Sequence, residues 1–295
     1  MKSAAFEYSR PADLAEACAL LAQGDDARLI AGGQTLVPLM AMRLARPKRL
    51  IDIARLAELA FVRSDDGQVT IGATTRQCAI EHDARVRADV PLLAKVMPFV
   101  GHAAIRARGT IGGSLANGDP AAEIVLVAVT LGAMLLYREG GSTREIAADD
   151  FFTGPMVTAL PPTACLISVR FPIWKDARPG TGFHEVNARR SDFAFASAAA
   201  HIVLDEEGIC RRIAVGVGAV TPVPLRLDGL AQALTGTRIE EKKLRELVQA
   251  ALAEIEPLSD LHASDEYRRR AATALVVRAI ADAYRSAQGQ ASRAH

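Results

Sequence analysis

The sequence lacks an excess of charge of either sign. Its 35 lysines and arginines nearly balance 34 aspartates and glutamates, so the formal net charge is +1. Binding to nucleic acid or to an anionic membrane surface calls for a marked basic excess. We therefore expect no nucleic-acid partner.

Long apolar stretches are also missing. No run of 18 apolar residues occurs, and the N-terminal segment MKSAAFEYSR lacks the apolar centre of a secretory signal peptide. These absences predict a protein without membrane insertion, and we expect it in the cytoplasm.

Metal-binding patterns are absent as well. The four cysteines are spaced too widely for any short metal-ligand pattern. We expect free, mostly buried thiols at Cys18, Cys78, Cys165 and Cys210. We expect no metal ion and no iron–sulfur cluster bound by this chain. The isolated histidines at 82, 102, 184, 201 and 262 are interpreted as surface or packing residues, since none has an HxxxH or triad context.

The chain has 295 residues, half of them hydrophobic, which is enough for two domains. Its first part has α/β character. Pro11 predicts the start of a helix, and a short helix at 36–44 is expected between strands at 27–31 and 49–53.

The pattern changes from about residue 57. Short helices are expected there, together with a hairpin around SDDG and further strands at 134–137, 144–146 and 165–171. A connection at 172–182 then leads to a new unit. We predict three strands followed by helices within it, at 183–187, 196–204, 213–219, 225–234, 240–255 and 265–284.

Two glycine pairs interrupt apolar segments in a similar way. The first lies in ARLIAGGQTLVPLM (27–40), and the second in RGTIGGSLANGDPAAE (108–123). Glycine has no Cβ and tolerates positive φ, so successive backbone N–H groups can form a concave site for an anion such as phosphate. Each pair alone is more often a tight turn. The two together favour one diphosphate held between them, although the spacing is not the GxGxxG of a Rossmann turn.

Polar residues accompany both glycine pairs. Gln34 and Thr35 add side-chain donors to the first, and Asp119 and Glu123 follow the second as candidate partners for ribose hydroxyls. A charge cluster formed by Arg189, Arg190 and Asp192 has two interpretations: a solvated strand end, or a contact with a cofactor or partner.

The two segments AGGQTLVPLMAMRLARPKRLIDI and IRARGTIGGSLANGDPAAE closely resemble the cofactor loops of the FAD-binding medium subunits of molybdenum hydroxylases. That family includes aerobic carbon monoxide dehydrogenase and enzymes that hydroxylate N-heterocycles or aldehydes, with xanthine dehydrogenase as a more distant member. The resemblance continues through DFFTGPMVTAL, CLISVRFP and FHEVNARRSDFA, and so covers nearly the whole chain.

The resemblance implies an α+β protein with a two-subdomain FAD-binding fold. A small α/β subdomain is expected at about 1–56, and a larger one with an antiparallel sheet at 57–175. A C-terminal domain of the carbon monoxide dehydrogenase flavoprotein type, with a three-stranded sheet and a helical bundle, is expected at 176–288. Residues 289–295 are expected to form a tail.

FAD is the cofactor that the resemblance implies. Its diphosphate is expected on the backbone amides of the first loop, with carboxylates after the second loop near hydroxyl groups. The implied cofactor-binding residues are Ala31, Gly32, Gly33, Gln34, Thr35, Leu36, Thr110, Ile111, Gly112, Gly113, Ser114, Asp119, Glu123 and Leu166. Two departures stand out: Ser114 replaces an asparagine common in the family, and no lysine stands near Val186.

The resemblance also implies a division of labour among three chains. A large subunit with a molybdenum–pterin centre would hydroxylate substrate, and a small subunit with two [2Fe–2S] clusters would carry electrons to FAD on this chain. A dimer of heterotrimers is expected, and no catalytic residue is predicted here. Two alternatives stay open: a stand-alone flavin-dependent oxidoreductase with its own substrate pocket, and a nucleotide-binding scaffold without redox function.

Overall fold

A computed structural model describes residues 2–24, 26–174 and 178–289 of the chain. Helices and sheets are mixed, and they surround three main hydrophobic cores. No helix within these described ranges combines the length and apolarity that a membrane span requires.

The first part of the chain forms a parallel three-stranded sheet in the order β1-β3-β2. Asp13 caps the first helix by accepting a hydrogen bond from the Glu16 N–H, so the helix begins after this residue rather than at Pro11. The elements are β1 (Glu7–Ser9), α1 (Leu14–Ala22), β2 (Ala27–Ile30), α2 (Leu36–Ala41) and β3 (Arg49–Asp52).

The middle part is built on a five-stranded antiparallel sheet, in the order β4-β5-β10-β6-β7. Its strands are β4 (Val62–Asp65), β5 (Gln68–Gly72), β6 (Met134–Glu139), β7 (Ser142–Ala147) and β10 (Ala164–Pro172), and a small hairpin of β8 (Phe152–Gly154) and β9 (Val157–Thr158) lies apart from it. The predicted SDDG hairpin is confirmed, with Asp66 and Gly67 both at positive φ.

Short helices surround this antiparallel sheet. They are α3 (Gln77–His82), α4 (Ala84–Asp89), α5 (Pro91–Val96), α6 (Ala103–Arg106), α7 (Ile111–Asn117), α8 (Glu123–Thr130) and α9 (Ala148–Phe151), with 3₁₀ turns at Ala57–Leu59 and Met97–Phe99. The second glycine pair therefore lies in helix α7, where the sequence predicted an open loop.

The C-terminal part has a sheet in the order β11-β12-β13-β14, all antiparallel. Three helices follow, as predicted. The elements are β11 (Pro179–Val186), β12 (Ala196–Leu204), β13 (Cys210–Gly218), β14 (Leu225–Arg226), α10 (Asp228–Leu234), α11 (Glu241–Ala253) and α12 (Asp265–Ala287). The sheet thus has a fourth, two-residue strand beyond the three expected, taken from the start of the predicted helix at 225–234.

Helix α8 joins the middle and C-terminal parts. It packs against β13 and β12, and its buried residues share a hydrophobic core with Phe183 and Ala199. The first residue of α8, Glu123, therefore lies near the C-terminal sheet. The predicted boundary near 175 and all of the predicted tail except Gly289 fall outside the described residues, and both stay predictions.

Candidate functional site

A cavity of about 810 Å³ lies where the segment after β2 meets the segment that enters α7. This volume is toward the upper end of the roughly 300–1,000 Å³ of small-molecule and cofactor pockets. All of the predicted cofactor-binding residues except Ile111 line it: Ala31, Gly32, Gly33, Gln34, Thr35, Leu36, Thr110, Gly112, Gly113, Ser114, Asp119, Glu123 and Leu166.

The first loop presents a row of free backbone N–H groups. Gly33 has a φ of +68°, a left-handed conformation that glycine adopts without a steric penalty. Within the described residues, no N–H group of residues 32–36 hydrogen-bonds to a protein acceptor, whereas the next one, of Val37, donates to the Gly33 carbonyl at 3.0 Å. Successive free N–H groups form an anion-binding concavity. The loop therefore fits a diphosphate.

The two glycine segments touch at Gly32. A Cβ there would overlap the carbonyl oxygen of Arg108 and lie 2.8 Å from the Cα of Gly109. The guanidinium of Arg76 donates to the same Arg108 carbonyl, which fixes that backbone. Close backbone contact thus sets the distance between the two walls of the cavity.

The second segment differs from the expected repeat of the first loop. The Thr110 hydroxyl accepts a hydrogen bond from the Gly113 N–H at 3.0 Å, and the N–H groups of Ile111 and Gly112 donate to the carbonyls of Thr75 and Ala73 at 3.1 and 2.9 Å. All three amides are therefore satisfied within the protein, and that of Gly113 is satisfied because Thr110 caps the helix. Ile111 is fully buried in the core and does not reach the cavity.

Glycine at position 112 has a packing reason. A Cβ there would lie 2.5 Å from the Cβ of Ala73. Only glycine therefore lets α7 pack this closely against Ala73. The cavity wall formed by α7 includes Gly113 and Ser114. The first loop can bind an anion through its amides, and the second shapes the opposite wall.

Two carboxylates follow α7 along the cavity, those of the buried Asp119 and the half-buried Glu123. The Asp119 carboxylate accepts a hydrogen bond from the Ala121 N–H at 2.9 Å, and burial raises its pKa. Glu123 opens α8, and burial raises its pKa to about 7, with the nearby Asp119 charge adding to the effect. The helix N-terminus and the backbone N–H of Glu123 favour the anion, but burial outweighs them.

A third carboxylate, Glu185 of β11, belongs to the same acidic region. Burial and the charge of Glu123 raise its pKa to about 8. Asn187 donates to Oε1 at 2.9 Å, while Oε2 is buried and has no partner among the described residues. Nothing in the local sequence indicated this position, because its neighbour Glu123 lies 62 residues earlier.

Several residues that line the cavity were also missed. Gln77 is 5% exposed, and its buried Oε1 lacks a hydrogen-bond partner among the described residues. Phe193 is 71% exposed at the cavity rim, beside Ser191 and Asp192. Of the charge cluster with two interpretations, Asp192 lines the cavity, as a contact with a ligand requires.

The cysteines fulfil the expectation of free, mostly buried thiols. Burial raises the pKa of Cys165 to about 12, so this thiol stays protonated and unreactive. Within the described ranges, no group of three or more histidine, cysteine, aspartate or glutamate side chains has a metal-binding arrangement.

The buried carboxylates predict higher stability at lower pH. A glutamate in an unfolded chain has a pKa near 4.3, while Glu123 and Glu185 have values of about 7 and 8 in the folded protein. Between these values the folded state binds more protons, so the free energy of unfolding falls as the pH rises through about 8. Their contribution is fully present only below about pH 4.3.

Glu185→Gln removes one of these ionisations while keeping the shape of the side chain. At pH 9 we expect the variant to melt about 2–4 °C above the wild type, equivalent to about 1 kcal/mol after solvent screening. At pH 4, where the carboxyl is largely protonated in both the folded and the unfolded state, the two melting temperatures should nearly coincide. Thermal unfolding followed by circular dichroism checks this, and a variant that melts below the wild type at pH 9 would contradict it.

Comparison with known proteins extends over nearly the whole chain. Residues 4–174 match the family described as the FAD binding domain in molybdopterin dehydrogenase, and residues 181–283 match the CO dehydrogenase flavoprotein C-terminal domain. The chain is 34% identical to the nicotine 6-hydroxylase medium subunit of Paenarthrobacter nicotinovorans, over 96% of this chain and 99% of the relative. It is also 34% identical to the carbon monoxide dehydrogenase medium chain of Afipia carboxidovorans, over 93% and 95% respectively.

Solved structures agree in fold. Quinoline 2-oxidoreductase from Pseudomonas putida 86 superposes with a TM-score of 0.92 at 35% identity, covering 97% of this chain and 99% of that one. Carbon monoxide dehydrogenase from Hydrogenophaga pseudoflava gives 0.92 at 32% identity, with the same two coverages. The expected fold class is confirmed. The chain belongs to the family of FAD-binding medium subunits of molybdenum hydroxylases, and is an oxidoreductase subunit with FAD as its cofactor.

Proposed function

We propose that this chain is the electron-transfer subunit of a three-subunit molybdenum hydroxylase, assembled as a dimer of heterotrimers. Substrate is hydroxylated on the large molybdenum-binding subunit. Electrons then pass through two [2Fe–2S] clusters of the small subunit, and through FAD on this chain, to an external acceptor. The observation that carries the proposal is the row of free N–H groups at residues 32–36, which faces a cavity of dinucleotide size.

Different residues around the cavity bind different parts of FAD. The N–H groups of residues 32–36 hold the diphosphate, with the Ser114 hydroxyl on the opposite wall. Asp119 and Glu123 accept hydrogen bonds from ribose hydroxyls, and the buried side chain of Leu166 packs against a ring. Bound FAD supplies the exchange of single electrons for pairs, which is the chemistry of the cofactor itself.

The partner subunits need a docking surface close to the cavity. Exposed apolar side chains at Val37, Met42 and Leu44 lie on and after α2, beside the first loop. An apolar centre of this kind is typical of stable interfaces. We assign these three side chains to the surface that contacts the small [2Fe–2S] subunit. The relatives named above are themselves medium subunits or chains of larger enzymes.

The experiment that tests the binding role is a titration of the cofactor-free chain with FAD, followed by flavin fluorescence. We expect saturation at one FAD per chain, and release of unmodified FAD by acid. A chain that binds no FAD, or binds FMN as tightly, would overturn the proposed use of a diphosphate cradle.

Within this cavity, Glu123→Ala should weaken FAD binding by about 1–3 kcal/mol, because ribose hydroxyls lose a charged acceptor. The same titration measures the effect. Glu246→Ala is the matched control, since Glu246 is an exposed residue of α11 and its loss should leave the affinity unchanged. Equal affinities of the Glu123→Ala variant and the wild type would place the ribose contact elsewhere.

A further inference from the structure

The strand register places Glu185 on the face of the C-terminal sheet that packs against the segment leading into Glu123. Glu185 stands opposite Ser197, and Ser197 stands opposite Gly218. Residues directly opposite each other on neighbouring strands point to the same face. A Cβ on Gly218 would lie 2.8 Å from the Ser197 hydroxyl and 3.4 Å from the carbonyl of Pro120. That face is therefore covered by the segment that leads into Glu123.

Within the part of the chain that the structure describes, the groups that act on the two carboxylates carry no positive charge. Asp119 lies on the Glu123 side, and Asn187 and Ser197 are the polar neighbours on the Glu185 side. The adjacent His184 pairs with Asp282 of α12, and alternation along the strand turns it to the other face. Among the described residues, no lysine, arginine or histidine forms an ion pair with either Glu123 or Glu185.

Two neighbouring half-buried carboxylates without a cation resist double ionisation, since both partial burial and mutual repulsion favour the neutral form of one of them. Such a pair titrates as a unit and keeps one proton near neutral pH. Glu123 lines the cavity in the first turn of α8, where the helix N-terminus favours its anion, whereas the buried Oε2 of Glu185 has no hydrogen-bond partner among the described residues. The retained proton therefore resides mainly on Glu185, and Glu123 is the anion that faces the cavity.

We propose that Glu185 is a positioning residue for the cofactor, whose retained proton limits the Glu123–Glu185 pair to one negative charge, and that FAD binds this singly charged pair in preference to the doubly charged one. The inference rests on the proposed binding of FAD in this cavity. The singly charged pair leaves one carboxylate to accept ribose hydrogen bonds. The second negative charge would repel the diphosphate in a poorly solvated wall.

The proposal predicts a pH dependence of FAD affinity with a definite sign. If FAD requires the protonated Glu185, the apparent dissociation constant is the intrinsic one divided by the protonated fraction. With a pKa of about 8, this fraction falls about tenfold between pH 7 and pH 9. The full-length chain should therefore bind FAD about tenfold more weakly at pH 9 than at pH 7.

The experiment is a fluorescence titration of the cofactor-free chain with FAD at pH 7, 8 and 9, on the wild type, Glu185→Gln and Glu246→Gln. Glu185→Gln should hold a nearly constant affinity, because glutamine cannot ionise. Glu246→Gln, at an exposed position of α11, should follow the wild type.

A wild-type affinity that is flat from pH 7 to pH 9 would overturn the inference, whatever the variants do. An unchanged slope in Glu185→Gln would overturn it as well, since another group would then titrate. Absence of FAD binding at every pH is a distinguishable result, because it refutes the proposed function and not only the role of Glu185.

Discussion

Gly33→Val should abolish FAD binding. The φ of +68° at this position is strongly unfavourable for a β-branched residue, and a Cβ would already lie 3.2 Å from Cγ2 of Val37. Relief of this strain rotates the peptide groups of residues 32–36 away from the anion. We expect the flavin released by acid per mole of protein to fall at least about tenfold, which corresponds to about 1.4 kcal/mol of lost binding.

A matched substitution separates this effect from general damage. Gly141 lies in the turn between β6 and β7, and a Cβ there meets nothing within 4 Å. Gly141→Val should retain FAD. The helical circular dichroism signal of Gly33→Val should persist, since the C-terminal helices do not depend on the first loop. Undiminished flavin in Gly33→Val would contradict the assignment of the cradle.

Gly113→Val should also lose FAD, by a different route. Gly113 is exposed on the cavity side of α7, so a valine side chain would occupy space meant for the cofactor. Its Cβ would lie 2.9 Å from the Thr110 hydroxyl and would disturb the cap of the helix. Acid-released flavin measures this variant in the same way.

The first loop was predictable because its signals are local. An apolar strand that ends in two glycines, followed by an apolar helix with an early proline, specifies a turn between elements of the first subdomain. The longer hairpins and the C-terminal helices have equally strong periodic patterns. Helix α12, for example, was predicted at 265–284 and runs over Asp265–Ala287.

The second segment was less predictable because its conformation depends on distant residues. A glycine pair is typical of loops, and the pattern gives no sign that Gly112 packs against Ala73 while Thr110 caps a helix. Tertiary contact decides between loop and helix here. The short edge strands β1 and β14 were missed because two or three residues carry too little periodic pattern to predict a strand.

Glu185 shows the limit of local reasoning most clearly. In the sequence it is one polar residue in a strand, which is common. Its burial and its neighbour Glu123 follow from the register of β11, β12 and β13 and from the position of α8. Electrostatic coupling between positions 62 residues apart requires the fold.

Reduction of the flavin by substrate should require the partner subunits. The isolated, FAD-loaded chain should not be reduced by organic substrates, because hydroxylation is assigned to the large subunit. In the assembled complex, the physiological substrate should bleach the flavin absorbance through the clusters of the small subunit. Anaerobic stopped-flow mixing with a panel of N-heterocycles, aldehydes and carbon monoxide measures both samples.

The isolated chain is its own control in that experiment. Dithionite should bleach its flavin, which shows that the bound cofactor is competent for reduction. Bleaching of the isolated chain by any organic compound of the panel would favour a self-contained flavin oxidoreductase with its own substrate pocket.

Purification of the tagged chain from its native host, with measurement of its flavin and metals, shows whether this chain acts as the FAD subunit of a molybdenum hydroxylase. The expected result is a complex of three different chains that contains FAD, iron and molybdenum together. Mild dissociation should leave FAD with this chain and both metals with the others. A purified chain that carries flavin without any associated iron or molybdenum would contradict this role.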